Sequence, residues 1–160
     1  MSEENKALVR RWFEEVWNKG RAEAINEMFA EDGVAHGLSD AGGESLRGPE
    51  GFRPFFRSFR DAFPDIEVVV EDVIAEGDKL AARCSVRAKH QGDTLGFRAT
   101  GRPIEITGMT FARVRGGKIV EAWNNFDFMT LFQQLGAVEM KQPAEDEADG
   151  TDYGRPEGDA

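Results

Sequence analysis

The side chains best suited to chemistry in this sequence are one aspartate and two histidines. Asp127 falls inside the stretch Gly116–Gly136, which reads as a two-glycine turn, a strand and a short amphipathic helix. Its neighbours Trp123, Phe126 and Phe128 are aromatic. A carboxylate desolvated among aromatics has its charged form disfavoured and its pKa raised, toward the range of a proton shuttle. A carboxylate at a strand-to-helix joint is also a natural helix cap, and both roles stay open. His90 is the polar end of an otherwise apolar strand face, either a hydrogen-bonded core residue or a pocket residue able to move a proton or polarise a carbonyl. His36 stands at the base of a Gly- and Ser-rich loop, as a site residue or as a surface or capping histidine.

The hairpin that carries Asp127 has a readable pairing. If Gly116-Gly117 is a two-residue turn, Arg115 faces Lys118. Counting back, Thr110 faces Trp123, Gly108 faces Asn125 and Ile106 faces Asp127. Side chains alternate across a strand, so Trp123, Asn125 and Asp127 share one face with Thr110 and Gly108. Small residues opposite large polar ones leave space, and this face is expected to line a cavity. A bulge within the hairpin would swap the faces.

The elements that must position these residues follow in order. Leu8, Val9, Trp12, Phe13, Val16 and Trp17 form one apolar stripe, which predicts a helix over 4–18. A second helix is predicted over 21–29, a short strand over 34–36 and a loop from Gly37 to Gly51. A third helix over 51–63 carries five phenylalanines at spacings of three and four. Strands are predicted over 66–75, 79–91, 104–115 and 118–127, with a loop over 92–103 and a closing helix from Phe128 to Leu135. Strand 104–115 is apolar on both faces, Ile104 and Ile106 on one and Met109 and Phe111 on the other. It is expected to be covered by helices on one side and by a partner subunit on the other. Helices and strands are segregated, so the class is α+β: a cone-shaped, strongly curved antiparallel sheet wrapped by N-terminal helices.

Bulk properties narrow the function. The 160 residues suit one domain with a real core, over 1–138, followed by an acidic tail over 139–160 expected to be disordered. The net charge is −10, and from Glu139 onward eight acidic residues stand against two basic ones. An acidic body without a basic patch argues against nucleic acid. No apolar run reaches the length of a membrane span and no signal-peptide pattern opens the chain, so a cytoplasmic protein is expected. Cys84, the single cysteine, reads as a small buried hydrophobe. Two histidines with no short-range ligand pair give no metal site, although both with Asp127 would be the minimum for a facial iron triad.

The residues also resemble a family. Trp12-Phe13 with Trp17, Ala30-Glu31-Asp32 before His36, Gly48-Pro49-Glu50-Gly51-Phe52 and Ala88-Lys89-His90-Gln91-Gly92 occur in an order similar to that of the SnoaL-like polyketide cyclases. The strongest pieces are Gly117-Lys118-Ile119-Val120-Glu121-Ala122-Trp123, Asp127 and Gln133-Gln134-Leu135-Gly136. The resemblance covers about residues 4–136 and implies the nuclear transport factor two-like superfold. It implies a ring-closing aldol reaction on a polyketide ester without cofactor. Asp127 matches the family's catalytic acid/base, and His90 a recurrent histidine placed to polarise the substrate carbonyl. Trp12, Trp123 and Asn125 are the expected substrate contacts, with Thr110 and His36 beside them. The expected partners are a small hydrophobic molecule and a second copy in a homodimer. The same superfold hosts non-catalytic ligand binders, scaffold dimers and epoxide hydrolases, so fold alone does not give function. The last would need an Asp-Arg-Asp cluster in the pocket, and Arg83 and Arg87 are expected to point away from it.

Overall fold

Val9, Trp12, Phe13, Val16 and Trp17 recur on one side of the first helix, and in the computed structural model, which describes residues 2–38, 43–139 and 141, all five are buried. The helix α1 (Ser2–Trp12) continues into a π-helical turn, Phe13–Asn18. A π turn holds more residues than an α turn. The Asn18 side chain pins its end to the sheet, donating to the Val68 carbonyl at 3.0 Å and accepting from the Val68 N–H at 2.6 Å. After α2 (Ala22–Met28), β1 (Phe29–His36) and β2 (Leu46–Arg47), α3 (Gly48–Ala62) presents its phenylalanine face. Phe52, Phe55, Phe56 and Phe59 surround Trp17 at centroid distances of 5.6–6.5 Å. α3 begins three residues before the predicted start, because Pro49 suits the first turn of a helix.

The rest of the chain builds β3 (Glu67–Glu76), β4 (Lys79–Lys89), β5 (Pro103–Arg115), β6 (Lys118–Phe126) and the closing helix α4 (Phe128–Gln134). The strands form one curved sheet in the order β2-β1-β6-β5-β4-β3. It is antiparallel except where β1 lies parallel to β6. That pair corrects the expectation of a purely antiparallel sheet, and β1 is longer than the three residues predicted. Along β4 and β5 burial alternates strictly. Leu80, Ala82, Cys84, Val86, Ile104 and Ile106 point inward under the helices. The α+β class and the helix-wrapped curved sheet agree with the sequence reading. Among the described residues no helix is long and apolar enough to cross a membrane. The acidic tail, Glu139 and Lys141 apart, lies outside the described residues.

Candidate active site

An apolar cavity of about 90 Å³ lies between the inner face of the sheet and the helices. Trp12, Phe13 and Trp17 wall it from the N-terminal helix, Phe52, Phe55 and Phe59 from α3, and Phe128 and Leu131 from α4. Ile104, Ile106 and Ala112 of β5 with Ala122 and Phe126 of β6 form part of its floor. From the sheet two polar residues join this lining, Thr110 and Asn124. They face each other across the β5–β6 ladder, and the Thr110 hydroxyl donates to Asn124 Oδ1 at 2.8 Å. The Asn124 amide nitrogen donates to the carbonyl of His36 at 3.0 Å. Gly37, the next residue, has φ +81°, and a Cβ there would lie 2.1 Å from the Asn124 carbonyl oxygen. Only glycine lets β1 end this close to β6.

The expected pairing of the hairpin holds at its turn and fails above it. Arg115 pairs with Lys118 and Val114 with Ile119, but Arg113 pairs with Glu121, leaving Val120 as an extra residue in β6. One inserted residue moves every later side chain to the other face. Thr110 therefore faces Asn124 rather than Trp123, and Gly108 faces Phe126 rather than Asn125. The Phe126 ring lies over Gly108, where a Cβ would sit 2.2 Å from it, so the space expected there is filled. Trp123 and Asn125 lie outside the cavity lining. Asn124, Ala122 and Phe126, which the sequence reading passed over, lie in it. One signal was available. Unbroken alternation would put apolar Ile119 and charged Glu121 on the same face, and a bulge between them resolves that conflict.

Asp127 is also displaced from its expected surroundings. It is exposed and caps α4, its Oδ1 accepting from the Thr130 N–H at 3.0 Å and its Oδ2 from the Thr130 hydroxyl at 2.6 Å. The hydroxyl bond, then the backbone bond, holds the carboxyl below its ordinary range, against a weaker upward push from burial. The expectation of a pKa raised by desolvation is thus corrected: hydrogen bonds to the charged form outweigh the little burial present. Asp127 stands between two residues of the cavity wall, Phe126 and Phe128.

The histidines lie outside the lining too. His90 is fully buried at the end of β4, between Phe63 at 5.5 Å and Phe97 at 5.3 Å. Its Nδ1 accepts the Thr100 N–H at 3.0 Å, which places the proton of the neutral ring on Nε2, and Nε2 has no hydrogen-bond partner. Phe63, which lines the cavity, stands against it. His36 lies outside, half-buried, stacked on Trp123 at 5.5 Å. Its Nε2 meets Glu121 at 2.8 Å and its Nδ1 meets the Ser45 hydroxyl at 2.6 Å. Glu121 also accepts from Arg113 at 3.2 Å. Of the expected contact residues, the structure brings Trp12 and Thr110 into the lining and leaves His36, Trp123 and Asn125 out of it. Cys84 is buried, and burial above all, with the charge of Glu71 adding to it, pushes its thiol up to about 11. Among the described residues no cluster of three or more His, Cys, Asp or Glu side chains is placed to hold a metal ion.

Comparison with known proteins places this architecture. Residues 7–135 match the family of SnoaL-like polyketide cyclases. The chain is 29% identical over 131 residues to the aklanonic acid methyl ester cyclase DauD of Streptomyces sp. (strain C5), over 81% of this chain and 80% of the relative. Wild-type IdmH from Streptomyces antibioticus superposes with a TM-score of 0.71 at 34% identity, over 82% of this chain and 97% of its own. A SnoaL-like protein from Jannaschia sp. CCS1 gives a TM-score of 0.76 at 23% identity, covering 86% and 95% of the two chains, a likeness of fold.

Proposed function

The chain belongs to the SnoaL-like polyketide cyclase family, and from that premise we propose that it is a cofactor-free cyclase, closing a ring by an intramolecular aldol reaction on a small hydrophobic, polyketide-like carbonyl compound. The observation that carries this reading is the aromatic cavity with one polar pair, Thr110 and Asn124, in its wall. Such a site buries an apolar skeleton and fixes one end of it through few polar groups. At about 90 Å³ the cavity is smaller than the roughly 150 Å³ that accommodates benzene in an engineered core. Substrate entry therefore requires the wall to widen, and the half-buried rings of Phe55, Phe59, Phe126 and Phe128 are its partly solvent-facing aromatics.

In this reading Asp127, between two wall residues, is the base at the rim. A carboxylate held below its ordinary range is a weak base, so the proton it takes must be acidic, as on a carbon between two carbonyl groups. The C–H electron pair becomes an enolate. The enolate carbon attacks a second carbonyl of the same molecule, forming one C–C bond. The resulting alkoxide takes the proton back from Asp127, which in its acid form gives it up readily. No atom is lost or gained. His90, in contact with the wall residue Phe63, carries a further unpaired donor, its Nε2–H.

Asp127→Asn separates chemistry from capping, because Asn caps a helix about as well as Asp. With aklanonic acid methyl ester as first substrate, the variant should keep its fold and ligand affinity while kcat falls about 10²- to 10⁴-fold. Full activity in this variant would end the proposed role of Asp127. A second reading, a non-catalytic binder of the same ligands, is favoured by the engagement of both Asp127 oxygens with Thr130. It predicts that wild-type protein returns the bound ester unchanged.

The outer face of the sheet supports the homodimer in the same proposal. Met109 and Phe111 are 57% and 44% exposed there, amid Arg83, Arg87, Glu105 and Glu121. A second copy turned about a two-fold axis would cover the apolar residues, among charges that are largely paired within the chain, Arg87 with Glu105 and Arg113 with Glu121. Sedimentation should give a dimer for the wild type and a monomer for Phe111→Arg. A monomeric wild type would overturn the dimer and leave the cavity reading intact.

A further inference from the structure

The wall of the cavity holds more information than its polarity, because the hydrogen-bond network fixes which atom of the Asn124 amide is which. A backbone carbonyl only accepts, so the group facing the His36 carbonyl at 3.0 Å is the NH₂. Oδ1 then faces Thr110, and the Thr110 hydroxyl must spend its single proton on it. After these two bonds the Asn124 NH₂ has one N–H left to give. The Thr110 oxygen has given its proton and can only accept. Both residues line the cavity, Thr110 is 5% exposed, and apart from the indole N–H groups of Trp12 and Trp17 every other lining side chain is apolar. The arrangement is held rigidly: Thr110 and Asn124 are register partners in the ladder, and Gly37 brings the end of β1 against the Asn124 backbone.

We infer that Asn124 and Thr110 form a donor–acceptor pair that selects ligands carrying a carbonyl and, two carbons away, a hydroxyl. The Asn124 N–H donates to the ligand's carbonyl oxygen, and the Thr110 oxygen accepts a hydrogen bond from the ligand's hydroxyl. A β-hydroxycarbonyl is the functional group an aldol reaction creates, so the pair recognises the ring-closed product once its alkoxide has been protonated. This assignment rests on the cavity being the ligand site, as proposed above. It adds the polarity pattern of the ligand, and it makes Thr110 and Asn124 the residues that set specificity.

Isothermal titration of the full chain with indane, 1-indanone and 3-hydroxy-1-indanone tests it. The three share one skeleton and add first the acceptor, then the donor. Affinity should rise about 2- to 10-fold at each step, the range of one net hydrogen bond. Asn124→Leu should abolish the carbonyl step and leave indane binding in place. Thr110→Val should abolish the hydroxyl step, and Thr110→Ser should restore it, which separates loss of the oxygen from loss of folding. If none of the three binds, the cavity is plain core, and the cyclase reading falls together with this one. If indane binds and the oxygens add nothing, or if Thr110→Val keeps the hydroxyl step, the donor–acceptor pair alone is overturned.

Discussion

The two faces of β5 and β6 are made by the same residues in alternation, yet they differ in kind. Inward, Ile104, Ile106 and Ala112 with Ala122 and Phe126 form an apolar surface interrupted by one hydrogen-bonded pair. Outward, Met109, Phe111 and Trp123 sit beside Glu121, which forms an ion pair with Arg113 and a hydrogen bond with His36. A polar group on the inner face is confined to few partners, so its orientation is fixed. Groups on the outer face are exposed or half-exposed, where an ion pair contributes roughly 0–1 kcal/mol. A given residue type therefore carries different meaning on the two sides, and which side it occupies is decided by a single bulge at Val120.

The largest separation between the faces should appear in stability. Ile106, 5% exposed, packs in the core, and Ile106→Ala should cost about 2–5 kcal/mol through lost burial and the cavity left behind. Met109, three residues on and 57% exposed, should cost within about 0.5 kcal/mol when replaced by Ala. Urea unfolding of both variants in the monomeric Phe111→Arg background, where no second copy covers Met109, measures the ratio. Comparable losses would mean that Met109 packs within the single chain.

Smaller in expected effect is Gly108→Ala. The added Cβ falls 2.2 Å from the Phe126 ring, which must shift for the variant to fold. Overpacking of this kind costs about 1–3 kcal/mol. Because Phe126 also lines the cavity, the same substitution should change indane affinity. A Gly108→Ala protein with wild-type stability and affinity would place the ring elsewhere and undo the register argued for β6.

Much of this was legible in the residues. The stripe from Val9 to Trp17, the phenylalanine spacing over 52–63 and the alternation from Leu80 to Ala88 each follow from period alone, and each lies where burial requires. The turn at Gly116-Gly117 set the first two pairs of the β5–β6 ladder correctly. The site was less legible, because it depends on parity rather than period. Each of Trp123, Asn124 and Asn125 has a plausible inward role, and a bulge of one residue chooses among them. Neighbouring aromatics in sequence were also a poor guide to the surroundings of Asp127. Phe126 and Phe128 turn toward the cavity, while the backbone at the helix start turns the carboxylate back onto Thr130.

That difference gives the smallest and most discriminating expectation, in the pH dependence. The folded-state pKa of Asp127 is depressed below 3.8, so its carboxylate is fully ionised at neutral pH. The stabilisation from its cap is present above the unfolded pKa of about 3.9 and is lost as pH falls through the folded value. As a base, Asp127 should give a kcat/KM that changes less than twofold between pH 5 and 8, since the deprotonated fraction hardly moves there. The acid limb should lie below the ordinary carboxylate range and fall tenfold per unit there. A desolvated carboxylate of the kind its aromatic neighbours suggest would instead put a limb near neutrality. A measured midpoint between 6 and 7 in wild type, unchanged in Asp127→Asn, would hand the proton transfer to another group and detach Asp127 from the chemistry proposed for the inner face.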